Sequence, residues 1–233
     1  MNKNLFKMSY SVRKEFHRKV AFFIFFVLCI FIFINIVFSF LVFPVRTCSV
    51  SMEPDLDEKS CVLFSPLKRN IHRGDVVLCS PLLKDESSVS VKVADCFVRF
   101  FTAQQFSLVS GRKNMGTNCF VRRVVGLPGD SIYMRDYVVY IKPADGTYFL
   151  TEFELVKKPY NVSISAAPAL WDSSIGVEGS FEEITLSENE YFVLGDHRNS
   201  CVDSRFFGSL KESEIKAGAL FSYFPFDKLR LYF

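Results

Sequence analysis

The residues of this chain that could do chemistry lie in four short runs. Ser51 stands in Ser49-Val50-Ser51-Met52-Glu53-Pro54-Asp55-Leu56, with a second hydroxyl two positions before it. Downstream come Arg73-Gly74-Asp75-Val76-Val77-Leu78 and Arg122-Arg123-Val124-Val125-Gly126-Leu127-Pro128-Gly129-Asp130. The last is Gly195-Asp196-His197-Arg198-Asn199-Ser200-Cys201-Val202-Asp203-Ser204-Arg205-Phe206-Phe207-Gly208. A serine hydroxyl attacks a carbonyl when a neighbouring base takes its proton and donors wait for the oxyanion. Alone, a serine before Met-Glu-Pro is more often a surface residue than a nucleophile. Its position changes that reading. Ser51 follows a long apolar run ending at Phe43, and the eight intervening residues reach ~26–29 Å at most when extended. Whatever Ser51 does, it does close to the end of that run.

In this order the four runs resemble the bacterial type I signal peptidases, whose pattern is SxSMxPTL, RGDIVVF, KRVxGLPGD and GDNRxxSxDSRxxG. The VVGLPGD and DSR segments are the specific ones, and the likeness covers the apolar run and most of residues 44–233. The resemblance implies a mainly β fold, an antiparallel signal-peptidase-like catalytic domain preceded by one N-terminal transmembrane helix. It also implies a membrane-bound serine endopeptidase that removes signal peptides from exported preproteins after small residues, using a Ser/Lys dyad and no cofactor or metal. Ser51 matches the nucleophile. Ser49 matches the residue whose hydroxyl helps the nucleophile's backbone N–H hold the oxyanion, and one such donor is typically worth ~2.7–4 kcal/mol of barrier. Asp203 and Arg205 match a buried charged pair that braces the site, with Asp196 and Arg198 in the same supporting loop.

The match breaks where the base should stand. Arg122 occupies the position of the dyad Lys, and the next residue is Arg123, so sliding the alignment by one does not supply a Lys. The Ser that hydrogen-bonds the dyad Lys is Cys201 here, and the Asn of GDN is His197. Neutralising a lysine at pH 7 means a shift of about 3.4 units, or ~4.6 kcal/mol, within reach of the 3–5 units that burial can impose. An arginine needs about 5.5–6.8 units, or ~7.5–9 kcal/mol, which makes Arg122 a poor base. It could still stabilise an oxyanion. His197 is the chemically best substitute, since histidine titrates near neutrality, with Lys113 and His72 behind it. The expectation is therefore a working peptidase with a rearranged base. Its alternative is a catalytically impaired paralogue that binds preproteins or other membrane proteins without efficient cleavage.

Stepping outward from the site, residues 20–43 contain no charge, no Gly, no Pro and nine Phe. As a helix they rise roughly 36 Å, enough for a hydrocarbon core of about 30 Å with some tilt. The run exceeds the roughly 7–15 apolar residues of a cleaved signal sequence, and no small-x-small site follows it, so it reads as a retained anchor. Residues 1–19 carry six Lys or Arg against one Glu, a net of +5 out of the whole chain's +3. This basic flank predicts a cytoplasmic N-terminus and residues 44–233 outside, a single-pass protein of the inner (cytoplasmic) membrane. Net charge gives no reason to expect nucleic acid as a partner. The seven cysteines show no metal-ligand spacing, and the six outside the anchor could pair or stay free.

Beyond residue 43 the hydrophobic period is two. Cys61–Phe64, Asp75–Leu78, Phe120–Val125, Ser131–Ile141 and Tyr191–Leu194 read as strands, the fourth as a hairpin turning near Arg135-Asp136. Glu212–Ala217 is the one stretch that reads as helix. Residues 79–118 and 147–190 look like insertions with long loops. Phe97, Phe100, Phe101 and Phe106 make the first of these a candidate contact with the lipid bilayer.

Overall fold

The computed structural model describes residues 3–37, 41–80, 98, 119–164 and 179–232. Lys113, Cys96 and the four phenylalanines just named lie outside the described residues. The chain begins with α1, Lys3–Ile36. Its section Val12–Ile36 has a mean hydropathy of 2.7 and is long and apolar enough to cross a membrane. Only 6 % of that section is buried within the protein, so no protein core accounts for its apolar surface. Asn35, a polar interruption, turns its amide back onto the Phe31 carbonyl at 2.9 Å, which satisfies it within its own helix. The helix ends before the apolar run does, and Phe43 opens the first strand instead.

Twelve strands follow among the described residues: β1 (Phe43–Arg46), β2 (Cys61–Ser65), β3 (Val76–Cys79), β4 (Phe120–Gly126), β5 (Ser131–Arg135), β6 (Val138–Lys142), β7 (Leu150–Thr151), β8 (Phe181–Thr185), β9 (Glu190–Leu194), β10 (Leu210–Lys211), β11 (Ile215–Phe224) and β12 (Arg230–Leu231). The larger sheet runs β1-β2-β11-β3-β4-β9-β10 with β12 alongside β11, and the smaller runs β7-β6-β5-β8. Every pairing is antiparallel. The mainly β, antiparallel architecture behind one N-terminal apolar helix is the one expected.

β3 shows why its sequence reads as unbroken apolar. Val76 and Leu78 pack into one core cluster with Met52 and Phe64, while Val77 and Cys79 pack into another with Val124 and Val193. A strand covered on both faces has no polar side to alternate with. The hairpin β5–β6 turns at Asp136 and Tyr137, both with positive φ (49° and 66°), as a two-residue turn of the primed kind requires.

The helix expected at Glu212–Ala217 is corrected. Glu212–Glu214 form one 3-10 turn, and from Ile215 the chain runs as β11, the longest strand. β11 breaks register between Ala219 and Phe221 and again between Ser222 and Phe224 in its pairing with β2. Such bulges interrupt the two-residue period, which hid this interior strand of the sheet from sequence. Two short helices, α2 (Glu152–Leu155) and α3 (Ser204–Phe207), carry no periodic signal because each is one turn long.

This framework sets up the site. β4 lies between β3 and β9, with Arg123 opposite both Val76 and Leu194. That register places Arg122 and Arg123 beside the Gly195–Arg205 loop, which leaves the end of β9. The Ser51 segment arrives from the other direction, in the connection between β1 and β2.

Candidate active site

Ser51 sits in a 3-10 turn, Val50–Met52, entered from Ser49 in extended conformation (φ −148°, ψ 156°). Met52 and Leu56, buried in the core, fasten the turn from below, and the Leu56 N–H closes it onto the Met52 carbonyl at 2.8 Å. From above, the His197 N–H donates to the Ser51 carbonyl at 3.1 Å. Gly195 permits this approach. A Cβ there would meet the Ser51 carbonyl oxygen at 2.7 Å and Cys201 Sγ at 2.5 Å.

Alternation along β4 sends Arg122 to the side of Val124 and Arg123 to the side of Val125. Arg122 is 4 % exposed and lies over the Phe120 ring. Its Nη1 donates to Ser51 Oγ at 2.8 Å and to the Val121 carbonyl at 2.6 Å. Nε and Nη2 both donate to the Val202 carbonyl, at 2.8 and 2.6 Å. Ser49 Oγ lies 2.9 Å from Ser51 Oγ. The structure thus brings Ser51, Ser49 and Arg122 into one hydrogen-bonded group. In that group arginine is a donor only, so the Ser51 hydroxyl proton faces Ser49 or solvent and meets no base among the described residues.

Of the substitutes, the two described ones, His197 and His72, stand elsewhere. His197 adjoins Ser51 through its main chain, and its ring Nδ1 is buried without a hydrogen-bond partner. Its ring makes no hydrogen bond to Ser51 Oγ among the described residues. His72 has its side chain 65 % exposed, near Asp75 at 3.8 Å.

Supporting charges surround the group. Asp203 caps α3 and accepts from Arg205 Nε and Nη2 at 2.9 and 2.7 Å, from the Cys201 thiol at 2.8 Å and from the Gly195 N–H at 3.2 Å. Burial pushes its carboxyl up, but Arg205 and the other donors outweigh this and hold it below the usual carboxylate range. Burial first, then the Asp203 charge, pushes the Cys201 thiol up to about 12. Arg123 pairs with Asp196 at 2.5 Å and Asp55 at 2.7 Å, and its guanidinium lies 4.1 Å from the centre of the Tyr160 ring.

Sequence reasoning missed three members of this shell: Asp55, Glu152 and Tyr160. Asp55 was visible as a charge where the family pattern has Thr. Glu152 and Tyr160 come from the 147–190 insertion, where no motif flags them. Arg198, with no exposure, donates to Glu152 at 2.6 Å, and the Tyr160 hydroxyl donates to the same carboxylate oxygen at 2.5 Å. Ser163 adds a main-chain clasp, its N–H to the Asp196 carbonyl and its carbonyl from the Arg198 N–H, both 2.9 Å.

A family model described as signal peptidase, peptidase S26, matches residues 18–224. The chain belongs to that family. Its relatives include a signal peptidase I of Bacillus licheniformis, 29 % identical over 154 residues, 64 % of this chain and 74 % of that one. A signal peptidase I of Bacillus caldolyticus is 32 % identical over 120 residues, 49 % of this chain and 58 % of that one. The crystal structure of a signal peptidase I from Enterococcus faecalis aligns with 64 % of this chain and 96 % of its own, at 22 % identity and a TM-score of 0.32. As a signal peptidase family member the chain is a serine-endopeptidase type of hydrolase.

Among the described residues two thiols are buried, those of Cys79 and Cys201. Cys79, like Cys201, is pushed up to about 12, in its case by burial. Thiolate is the reactive form, so neither reacts with iodoacetamide at pH 8 in the folded chain, while exposed Cys48 does. Peptide mapping by mass spectrometry checks this. Labelling of Cys201 as fast as Cys48 would show that the loop opens in solution.

Proposed function

We propose that the chain is a membrane-anchored endopeptidase that removes signal peptides from exported preproteins, with Ser51 as nucleophile and turnover limited by the missing base. The observation that carries this reading is the bonded group Ser49–Ser51–Arg122, in which the nucleophile and both donors stand together at 2.8–2.9 Å. Ser49 stabilises the oxyanion, and Arg122, in the base position, lends positive charge to it and does not take the proton. Serine proteases stripped of part of their triad keep ~10³–10⁴-fold acceleration from binding and the oxyanion hole, and this chain works in that range. Asp203, Arg205, Cys201, Arg123 and His197 hold the two sides of the site together. The basic residues 1–19 keep the N-terminus in the cytoplasm, and residues 44–233 face outward.

A second reading, a paralogue that binds preproteins without cutting them, draws on the direction of one hydrogen bond: Arg122 donates to Ser51 and cannot accept. Cleavage of a model preprotein in detergent separates the two. The wild type cuts slowly and Ser51→Ala does not. Because no described side chain takes the proton, kcat/KM rises about tenfold per pH unit through the neutral range, with no plateau from a titrating base. An inert wild type sinks the peptidase reading, and a bell-shaped profile shows that a base has been recruited.

A further inference from the structure

Five of the described arginines have side chains that are a tenth exposed or less: Arg73, Arg122, Arg123, Arg198 and Arg205. Four of them meet a carboxylate. Arg73 pairs with Asp130 at 2.9 Å, Arg123 with Asp196 and Asp55, Arg198 with Glu152 and Arg205 with Asp203. Arg122 does not. Its partners are two backbone carbonyls and the Ser51 hydroxyl, all of them neutral. Buried charges are ordinarily paired, because an isolated one loses its hydration with no counter-charge in return. Among the described residues, the one such cation without a counter-ion points at the nucleophile.

The reaction supplies a counter-ion at that place. The scissile carbonyl carbon must lie against Ser51 Oγ for attack, and hydrolysis turns that carbon into the free α-carboxylate of the released peptide. Its oxygens then fall within reach of Arg122 Nη1, which is 2.8 Å from Ser51 Oγ. A lysine that works as a base is uncharged while it does so and offers no matching attraction. Arginine offers a permanent charge and a fork shaped for carboxylate. Ser49 and Val50, which precede the nucleophile, are both exposed, while Ser51 is only 4 % exposed.

We infer that the Ser51–Arg122 site is a carboxylate subsite, which holds a peptide by its free C-terminal carboxylate with Arg122 as counter-ion. The ligand is a peptide ending in a small residue, the cleaved signal peptide. This rests on the substrate reading above and makes the chain a retainer of its product as well as a cutter of its substrate.

The test uses the full chain in detergent micelles, carrying Ser51→Ala to prevent turnover. Two fluorescent peptides of one sequence, ending in alanine as the free acid or as the carboxamide, are titrated by anisotropy. The free acid binds about tenfold or more tighter than the amide, the scale of a charge-assisted hydrogen bond in a dry site. The preference disappears when Arg122→Gln is added. Equal affinity for acid and amide overturns the inference and leaves the substrate reading standing. So does a preference that survives Arg122→Gln. If neither peptide binds, both readings fall. The acid–amide comparison needs no change at Arg122, so it holds even where Arg122→Gln fails to fold.

Discussion

Arg122→Lys raises kcat/KM for a model preprotein by about 10²–10⁴-fold at neutral pH, the usual contribution of a positioned general base. The argument comes from the surroundings of Arg122. The side chain is buried, and its hydrogen-bond partners are all neutral. A lysine there loses hydration without gaining a carboxylate, the condition that depresses a lysine by up to 3–5 units, where about 3.4 suffice at pH 7. The environment that makes arginine costly is thus one in which lysine gives up its proton. Nη1 already marks a position 2.8 Å from Ser51 Oγ. Lysine is slightly shorter, and Cys201→Ser added to it supplies a hydroxyl in the position of the family's lysine-orienting Ser. The pair should exceed the single variant, and Ser51→Ala should abolish the gain. If Arg122→Lys folds, as judged by an unchanged unfolding transition, and gains nothing, the site is not a dyad site with its base replaced.

Glu152→Ala has the largest expected effect on stability. Glu152 and Arg198 are both wholly buried, and Glu152 is the counter-ion of Arg198. Removing one partner of a buried pair leaves the other uncompensated, at ~3–5 kcal/mol, a large part of the ~5–15 kcal/mol a domain holds. Because the Asp196–Arg198 loop also holds the Ser51 carbonyl through His197, activity falls with it. Replacing both residues, Glu152→Leu with Arg198→Met, recovers most of the loss. Glu152 Oε1 and Arg198 Nε and Nη1 already lack partners, so an apolar pair removes unsatisfied atoms along with the charges. Thermal or urea unfolding of the full chain reads both. An alanine variant within about 0.5 kcal/mol of wild type would show that solvent reaches Arg198.

Much of this was legible before any coordinates. Cys61–Phe64, Phe120–Val125 and Tyr191–Leu194 were legible as strands because they are short runs rich in β-branched and aromatic residues between turn formers. β11 escaped because bulges shift its period, and α2 and α3 because a single turn has no periodicity to read. At the site, the resemblance of four local runs, taken in their order, to the signal peptidase pattern marked Ser51, Ser49, Arg122, Cys201, Asp203 and Arg205. By itself the sequence determined the antiparallel β class, the apolar helix and the arginine at position 122, and its likeness to the family pattern proposed Ser51 as nucleophile. Tertiary structure alone decided that Arg122 donates to Ser51, that His197 supports it through the backbone, and that among the described residues Arg122 has no carboxylate when Arg73, Arg123, Arg198 and Arg205 each have one. The reason is physical: a hydrogen bond or an ion pair depends on which atoms fall within about 3 Å of each other. For residues as far apart in sequence as Ser51, Arg122, Glu152 and Arg198, only the packing of the sheets sets that distance.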